Sequence, residues 1–282
     1  MSFDIYYRNL ANKLLNNSTP VYNNRTDTIC HTILHQQTYY NSFPLLTIKK
    51  VNWQGAIAEL LSYLKGYSSA ADFRKLGTRT WDMNANQNQA WLDNPHRKGT
   101  DDMGRVYGVQ LRDWTNSEGQ HFDQLMKVVR NLSDGIDDRG EILTMWNPGE
   151  HHRGCLRPCM YEHHFSILDE TLYLKSTQRS VDLGLGYPYN SIQSYALLHL
   201  MAQITGLKAG HVWHVMTNVH LYDNQVEAVK QYIHNKPLDP PKLVINPKIK
   251  SLQDLDTWVT TDDFYLNTTY DHHGTIKVPF TV

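Results

Sequence analysis

The chain contains 282 residues, of which 40% are hydrophobic and 11% aromatic, so it can bury a sizeable core and is most simply one large domain. Its 27 basic and 28 acidic residues give a formal net charge of -1, which disfavours a nucleic-acid polymer as a partner. Three cysteines lack paired spacing, and we recognise neither a secretory signal nor an apolar run of membrane-spanning length. We therefore expect a cytoplasmic protein with no membrane partner.

Two early segments carry apolar residues at helical spacing. They run from Phe3 to Leu14 and from Trp53 to Leu64, and each predicts an amphipathic helix, the second ending before Gly66. Residues 82–104 are polar and contain Asn-Pro and Lys-Gly breakers. We therefore expect residues 82–104 to form a long surface excursion and not a domain linker.

The second half of the chain contains strand and helix patterns that do not alternate regularly. A short strand is predicted at 142–146, and a strand, a turn and a strand at 165–168, 169–170 and 171–175. The segment from Ile192 to Ile204 is apolar on nearly every side, which predicts a central buried helix ended by Gly206. This mixture favours an α+β architecture.

One candidate nucleophile is paired with fixed positive charge. Cys159 follows Pro158, and Arg179 lies twenty residues further on, beyond the predicted hairpin. A guanidinium stabilises the reactive thiolate of a cysteine and can also bind phosphate through two hydrogen bonds. If the hairpin folds Cys159 back beside Arg179, the pair is suited to attack on a phosphorylated substrate, and a nucleotide fits the charge balance better than DNA.

Zinc binding is the main alternative use of this segment. Six potential ligands lie within fourteen residues, namely His151, His152, Cys155, Cys159, His163 and His164. Zinc sites prefer short Cys pairs with a matched second pair, which is missing downstream, and His163 and His164 point to opposite faces of an alternating strand. We therefore expect no metal, and a merely buried, structural Cys159 stays as a second alternative.

Several further motifs, in consistent order along nearly the whole chain, resemble the thymidylate synthase family. The resemblance implies a single thymidylate synthase-like domain over residues 1–282, with a large mixed sheet flanked by helices. The matching segments are Asn24-Arg25-Thr26, Pro44-Leu45-Leu46-Thr47-Ile48-Lys49-Lys50, Glu59-Leu60-Leu61, Trp81-Asp82, Val106-Tyr107-Gly108, Arg139, Trp146-Asn147, Pro158-Cys159, Arg179-Ser180-Val181-Asp182, Gly184-Leu185-Gly186-Tyr187-Pro188-Tyr189-Asn190, His220-Leu221-Tyr222 and the closing Lys277-Val278-Pro279-Phe280-Thr281-Val282.

The resemblance implies dUMP as substrate and 5,10-methylenetetrahydrofolate as one-carbon donor. Addition of the Cys159 thiolate to uracil C6 would make C5 nucleophilic enough to attack the folate methylene. Glu59 would organise water and protons near O4, and Tyr107 would assist removal of the C5 proton. Trp81 and Leu156 would supply apolar walls for the base and the pterin. The implied catalytic residues are Cys159, Glu59, Tyr107, Asn190 and Trp81.

Two of these residues also have plain structural interpretations. Asn190 can donate to O4 and accept from N3–H of uracil, but it precedes the predicted buried helix, with Gln193 three residues on, and this pattern also fits an N-cap. Glu59 lies in an otherwise apolar helix, and because charged side chains are rarely buried it also fits a solvated helix residue. The sequence leaves both pairs of interpretations open.

The resemblance also implies the ligand-binding residues. The nucleotide phosphate would be bound by Arg25, Arg179 and Ser180, with Arg139 reaching across from the partner in a homodimer. His220 and Tyr222, two apart on a probable strand, could hydrogen-bond the sugar, and Asp182 and Asn190 complete the substrate set. The folate set is Lys49, Trp81, Leu156, Asp182, Gly186 and Val282. The apolar tail 277–282 is expected to be mobile and to close over bound folate.

Four positions depart from the usual pattern of the family. Met160 stands where histidine is usual, Gly140 in place of a second arginine, Asn84 in place of a second tryptophan, and Met216-Thr217-Asn218 in place of Gly-Gly-Asp. Such changes could admit water, and attack by water would yield the 5-hydroxymethyl nucleotide instead of thymidylate. We expect methylation, with dUMP 5-hydroxymethylation as the alternative and a non-catalytic nucleotide-binding relative as a weaker one.

Overall fold

A six-stranded mixed sheet forms the centre of the protein in a computed structural model, which describes residues 2–281. The central sheet has the order β1-β2-β8-β7-β6-β5, and β7 and β8 are its parallel pair while the other neighbours are antiparallel. In chain order the strands are β1 (Thr19–Asn23), β2 (Thr28–Tyr40), β3 (Trp114–Thr115), β4 (His121–Phe122), β5 (Ile142–Thr144), β6 (Met160–Leu168), β7 (Thr171–Asp182), β8 (Lys208–Tyr222), β9 (Leu243–Ile245) and β10 (Phe264–Leu266).

Helices cover the sheet and fill the connections between its strands. Short 3-10 helices occur at Pro148–Arg153, Asp223–Gln225 and Thr261–Asp263. The α-helices are α1 (Phe3–Asn17), α2 (Trp53–Leu64), α3 (Ala70–Lys75), α4 (Asp82–Asn86), α5 (Gln89–Leu92), α6 (Gly108–Arg112), α7 (Gln124–Ser133), α8 (Gly186–Thr205), α9 (Val226–Tyr232) and α10 (Leu252–Thr257). Within residues 2–281, none of these helices is long and apolar enough to cross a membrane.

The core lies between the sheet and two of its helices. Helix α8 packs across β7 and β8, and α2 packs on α8, while α1 covers β2. Ile192, Leu197 and Leu200 of α8 are fully buried, as the predicted central helix requires. Gly206 ends α8 in the left-handed conformation at φ 75°, which a residue without a side chain adopts at little cost. The α+β fold with a large mixed sheet is confirmed.

The predicted hairpin is also confirmed, and it is longer than expected. Strands β6 and β7 pair antiparallel from Met160 opposite Gln178 to Leu168 opposite Thr171. Asp169 and Glu170 close it with φ angles of 47° and 57°, the left-handed pair that a two-residue turn uses. Both are interior strands of the sheet, since β6 also pairs with β5 and β7 also pairs with β8.

Residues 82–104, predicted as a surface excursion, contain two short helices and are anchored to the core at a few points. This stretch forms α4 and α5, and three of its apolar side chains, Ala85, Trp91 and Met103, are 0–1% exposed, while Met83, Ala90 and Leu92 are partly or fully exposed. The indole N–H of Trp91 donates to the carbonyl of Asp102 at 2.7 Å. The segment is polar on average, so composition predicts a surface loop, but sparse large side chains are enough to anchor it to the core.

Replacing Trp91 with alanine tests this anchoring. Because the side chain is 1% exposed, we expect the free energy of unfolding to fall by about 3–5 kcal/mol, measured by urea denaturation. Trp258→Ala is the control, since Trp258 is 42% exposed, and should cost less than about 1.5 kcal/mol. Equal, small losses in the two variants would mean that residues 82–104 contribute little to the core.

Candidate active site

The hairpin brings the candidate nucleophile and its arginine into contact. The backbone N–H of Arg179 donates to the carbonyl of Cys159 at 2.9 Å, immediately before the start of β6. The Arg179 guanidinium donates to the carbonyls of Pro158 at 2.9 Å and Arg157 at 3.0 Å, and it lies 5.3 Å from the ring centre of Trp146. These contacts hold a positive charge beside the thiol, as the sequence predicted.

The protonation of Cys159 reflects two opposing effects. Burial raises the pKa of the thiol, while the positive charges of Arg179 and Arg25 and hydrogen bonds from Tyr107 and Ser180 lower it. Burial is the largest effect, so the pKa lies above its ordinary value. The thiol is therefore the resting form near neutral pH, and the reactive thiolate forms more readily as these positive charges approach it.

A cavity of about 440 Å³ opens beside this pair, between the β1–β2 hairpin and the ends of β7 and β8. Arg25, Arg179, Ser180, Asn218 and His220 line it. Two guanidinium groups and a hydroxyl are suited to binding a phosphate. The cavity thus joins three residues predicted to bind phosphate with one predicted to bind sugar.

His220 and Tyr222 lie together at the end of β8, as predicted from their spacing. Both are buried, and their ring centres are 5.1 Å apart in an edge-to-face arrangement. Burial lowers the pKa of His220 to about 4, and its Nδ1 lies 3.0 Å from Oδ1 of Asn218. Since that oxygen only accepts, Nδ1 of the neutral ring carries the hydrogen and Nε2 is left as an acceptor.

The interpretation of Glu59 as a solvated helix residue is wrong, because its side chain is buried. Oε1 accepts from the Tyr63 hydroxyl at 2.8 Å, the Thr80 hydroxyl at 3.0 Å and the Trp81 indole N–H at 2.8 Å, and Oε2 accepts from Gln193 Nε2 at 2.7 Å. Burial raises the pKa of Glu59, and these donors oppose the rise. The balance favours the protonated form of this carboxyl group more than water would.

Three aromatic side chains surround this carboxylate. Trp81 is 4% exposed and contacts Tyr107 edge to face at 5.4 Å, and Tyr107 stacks on Tyr63 at 4.7 Å. The Tyr107 hydroxyl accepts from the backbone N–H of Cys159 at 2.7 Å. Tyr107 has a φ of 32°, a strained value for a side chain of this size, and such strain is common at functional sites.

The N-cap interpretation of Asn190 is wrong, because α8 begins four residues earlier, at Gly186. The Asn190 side chain points away from the backbone: Oδ1 accepts from Gln178 Nε2 at 2.9 Å, and Nδ2 donates to Gln193 Oε1 at 3.1 Å. Asn190 therefore meets Glu59 through Gln193 on one side of the site.

The predicted folate residues occupy the adjoining region. Asp182 is half-buried and accepts from the backbone N–H of Gly184 at 2.8 Å and from Gln225 Nε2 at 3.2 Å, and desolvation raises its pKa. Lys49 Nζ donates to the carbonyl of Gly184 at 3.0 Å, and burial lowers the pKa of Lys49 to about 8. Leu156 is half-buried against the core.

The C-terminal tail reaches this region as well. Gln225 Nε2 donates to the carbonyl of Pro279 at 3.0 Å, and Asn224 Nδ2 donates to the Thr281 hydroxyl at 3.3 Å. Val278 is 8% exposed. The tail thus lies beside Asp182 up to Thr281, and the predicted folate contact of Val282 falls outside the described residues.

Arg139 lies apart from the other predicted residues. It is exposed on the loop between α7 and β5, at a φ of 70°, with its backbone N–H donating to Asp137 at 3.0 Å. Three of the unusual residues, Met160, Asn84 and Met216, are buried at 0–8% exposure. Over residues 2–281, no three His, Cys, Asp or Glu side chains converge as a metal site would need.

Sequence analysis missed four residues that hold the site together. Tyr63 and Gln193 position Glu59, Gln178 positions Asn190, and Gln225 joins Asp182 to the tail. Gln178 directly precedes the Arg179 motif, so its place was visible, whereas Gln225 belongs to no recognised pattern. Neutral amides carry no charge pattern, which is why only their contacts reveal them.

Known proteins match this chain over nearly its whole length. A family model described as thymidylate synthase covers residues 5–282. Proteins named thymidylate synthase from Vibrio parahaemolyticus, Shewanella halifaxensis and Vibrio cholerae are 53%, 55% and 54% identical over 281 residues. Each match covers 98% of this chain and 99% of the relative.

Alkylation of Cys159 by iodoacetamide tests the balance of charges at the thiol. Because burial raises its pKa and only the thiolate reacts, we expect the rate to keep rising from pH 7 to above pH 9, measured by mass spectrometry of the modified peptide. Arg179→Ala removes a charge that lowers this pKa and should slow alkylation at pH 8 by roughly threefold to tenfold. Arg79→Ala, whose side chain is 82% exposed, is the control. A rate that levels off below pH 7 would contradict the raised pKa.

Proposed function

Since the chain belongs to the thymidylate synthase family, we propose that it methylates dUMP reductively to dTMP with 5,10-methylenetetrahydrofolate as cosubstrate. The observation that supports this most directly is the contact of Cys159 with Arg179 at the edge of a cavity that also contains Arg25 and His220. A nucleophile beside a cavity that can bind an anion suits covalent attack on a nucleotide base.

The nucleotide binds through its phosphate and its sugar. Arg25, Arg179 and Ser180 bind the phosphate by charge-assisted hydrogen bonds. His220 and Tyr222, buried at the end of β8, bind the sugar hydroxyl, and the free Nε2 of the neutral His220 ring accepts its hydrogen. These contacts place the base above Cys159.

The chemistry starts with addition of the Cys159 sulfur to C6 of uracil. The electron pair of the C5–C6 double bond moves toward O4, where Asn190 Nδ2 donates a hydrogen bond to the developing negative charge. Glu59, held by four donors, orders water and moves a proton near O4. Tyr107, whose hydroxyl lies against the backbone of Cys159, assists removal of the C5 proton.

The folate supplies the one-carbon unit and the hydride. Lys49, Trp81, Leu156, Asp182 and Gly186 bind it, with Asp182 accepting from the pterin ring. The tail through Val282 closes over it and keeps water from the methylene carried by C5 of the pyrimidine. Trp81, Tyr63 and Tyr107 form the apolar wall on the other side. Hydride and not water ends the reaction, in accord with the synthase names of the relatives, and the 5-hydroxymethylase alternative is not favoured.

The proposed enzyme is a homodimer that pairs through the outer face of the sheet. Alternation on β8 buries Val212 and His214 and leaves Trp213 exposed, and Trp213 stacks on the exposed Tyr39 at 6.1 Å. Apolar side chains grouped on an open sheet face are typical of a subunit interface. In such a dimer, the exposed Arg139 reaches the phosphate in the partner's cavity.

Incubation with dUMP and 5,10-methylenetetrahydrofolate tests the reaction directly. We expect equimolar dTMP and dihydrofolate, identified by mass spectrometry. Cys159→Ser should lower kcat by at least about 10³-fold while dUMP still binds, because the hydroxyl occupies the same place but is a much weaker nucleophile. Hydroxymethyl-dUMP with tetrahydrofolate would establish the alternative ending, and a fully active Cys159→Ser variant would remove the covalent mechanism.

Mixing inactive subunits tests the placement of Arg139. Arg139→Ala and Cys159→Ser subunits should regain about a quarter of wild-type activity after exchange, because half of the dimers are mixed and each mixed dimer has one site with both groups. Arg130→Ala is the control for loss of a charge on the neighbouring helix α7, and it should be active alone. No recovery despite confirmed exchange would place Arg139 in its own subunit's site or elsewhere.

A further inference from the structure

A chain of buried polar side chains runs from Asn190 across the sheet, away from the cavity. Gln178 Nε2 donates to Asn190 Oδ1 at 2.9 Å, and Gln178 Oε1 lies 2.9 Å from Nε2 of His214 on β8. Nδ1 of His214 lies 2.8 Å from the hydroxyl of Tyr40 on β2. Gln178, His214 and Tyr40 are 0–3% exposed, so their hydrogen bonds cannot be exchanged for water.

The backbone fixes the direction of these hydrogen bonds. Gln178 Nε2 also donates to the carbonyl of Ser180 at 3.0 Å, and a carbonyl only accepts. The nitrogen end of the Gln178 amide must therefore face Ser180 and Asn190, and its oxygen end must face His214. It follows that Nε2 of His214 is the donor in this pair.

His214 is neutral, because burial lowers its pKa to about 3. A neutral imidazole has one N–H, so when Nε2 carries the hydrogen, Nδ1 accepts one from the Tyr40 hydroxyl. The Tyr40 hydroxyl, which also lies 2.9 Å from the Ser191 hydroxyl and 3.3 Å from the Tyr187 hydroxyl, can donate or accept. When it donates to Nδ1, it matches the His214 tautomer that Gln178 requires. The opposite tautomer would leave two acceptors, Nε2 and Gln178 Oε1, facing each other in a buried site.

The far side of Asn190 is fixed in the same way. Its Nδ2 donates to Gln193 Oε1 at 3.1 Å, and Gln193 Nε2 donates to the carbonyl of Ala56 at 3.3 Å and to Glu59 at 2.7 Å. Gln193 cannot turn its amide without facing the Ala56 carbonyl with its oxygen. Asn190 is therefore held from both sides in one of its two amide orientations.

This orientation decides which base fits. With Nδ2 and Oδ1 as they are, Asn190 donates to O4 and accepts from N3–H, the edge of uracil. Turned by 180°, the same amide would accept from the exocyclic amine of cytosine and donate to its N3. An asparagine that is free to rotate can therefore bind either uracil or cytosine. Its selectivity depends on the contacts that prevent rotation of the amide.

We propose that His214 is a positioning residue that, with Tyr40, locks the Asn190 amide through Gln178 and so makes the site selective for uracil over cytosine. The inference rests on the proposed function and deepens it. His214 touches no substrate itself. His214 acts by donating a hydrogen bond to Gln178, and Gln178 in turn donates to Asn190.

Two substitutions of His214 separate the donor from the ring. His214→Phe keeps a ring but removes both nitrogens, so Gln178 Oε1 loses its hydrogen-bond donor. The orientation of the Asn190 amide is then no longer fixed through Gln178. The preference for dUMP over dCMP, measured as the ratio of their dissociation constants by calorimetry, should fall by about tenfold or more, and kcat with dUMP should fall as well. His214→Gln restores an N–H where Nε2 lies and should keep the ratio within about threefold of wild type.

Controls distinguish positioning from loss of packing. His199→Phe changes a half-buried histidine on α8 that stacks on Tyr195 at 4.2 Å, and it should leave the ratio unchanged. If His214→Phe does not fold, Tyr40→Phe tests the same positioning, because it removes the hydrogen-bond partner of His214 Nδ1 and should lower the ratio by a smaller factor.

The outcomes are distinct. Equal weakening of dUMP and dCMP binding in folded His214→Phe or Tyr40→Phe protein, with an unchanged ratio, would overturn the lock and leave the proposed function standing. Wild-type protein that neither binds nor converts dUMP would overturn the proposed function and this inference together. A lowered ratio that His214→Gln restores would support the lock.

Discussion

The antiparallel pairing of β6 with β7 is the interaction on which the site depends. It places the carbonyl of Cys159 against the backbone N–H of Arg179 at 2.9 Å and fixes the arginine side chain on two further carbonyls. The two-residue turn at Asp169 sets the register, and a slip of one residue would send each β6 side chain to the other face of the sheet. Parallel pairing of β7 with β8 then brings Ser180 and Asp182 beside Asn218 and His220.

Burial of polar groups governs the chemistry of this site. Glu59, Asp182 and Lys49 lie in surroundings that disfavour charge. Burial raises the pKa of the two carboxyl groups and lowers the pKa of Lys49, which favours the neutral form of each. Each hydrogen bond to a charged group contributes only about 1.5–3 kcal/mol, so several are needed to hold one buried carboxylate. Glu59 has four such donors, which keeps the carboxyl group in one position while its proton can still move. Ordinary amides do much of this positioning.

The two faces of the central sheet differ in what they contact. The inner face packs on α8, and the buried hydrogen bonds from Tyr40 through His214 and Gln178 lead to Asn190. Well-packed core residues therefore hold the amide that is proposed to bind the base. The outer face leaves Tyr39 and Trp213 exposed, and the proposed dimer covers them. A strand with period two can serve both, since neighbouring residues such as Trp213 and His214 point to opposite sides. Strand β8 therefore contributes both to the proposed base selectivity, through His214, and to the proposed dimer, through Trp213.

The sequence by itself determined the features that depend on local periodicity and on residue type. Apolar spacing predicted α1, α2 and the buried part of α8, and alternation with a turn predicted the hairpin that joins Cys159 to Arg179. Ordered motifs across the chain identified the family, because many independent matches in one order are hard to obtain by chance. Only the tertiary structure decided which polar residues are buried: Glu59 is enclosed, Asn190 is not an N-cap, and Trp91 anchors residues 82–104. Burial and the direction of a hydrogen bond depend on contacts between distant segments, such as Tyr40 with His214 and Gln178 with Asn190, and no local pattern encodes these.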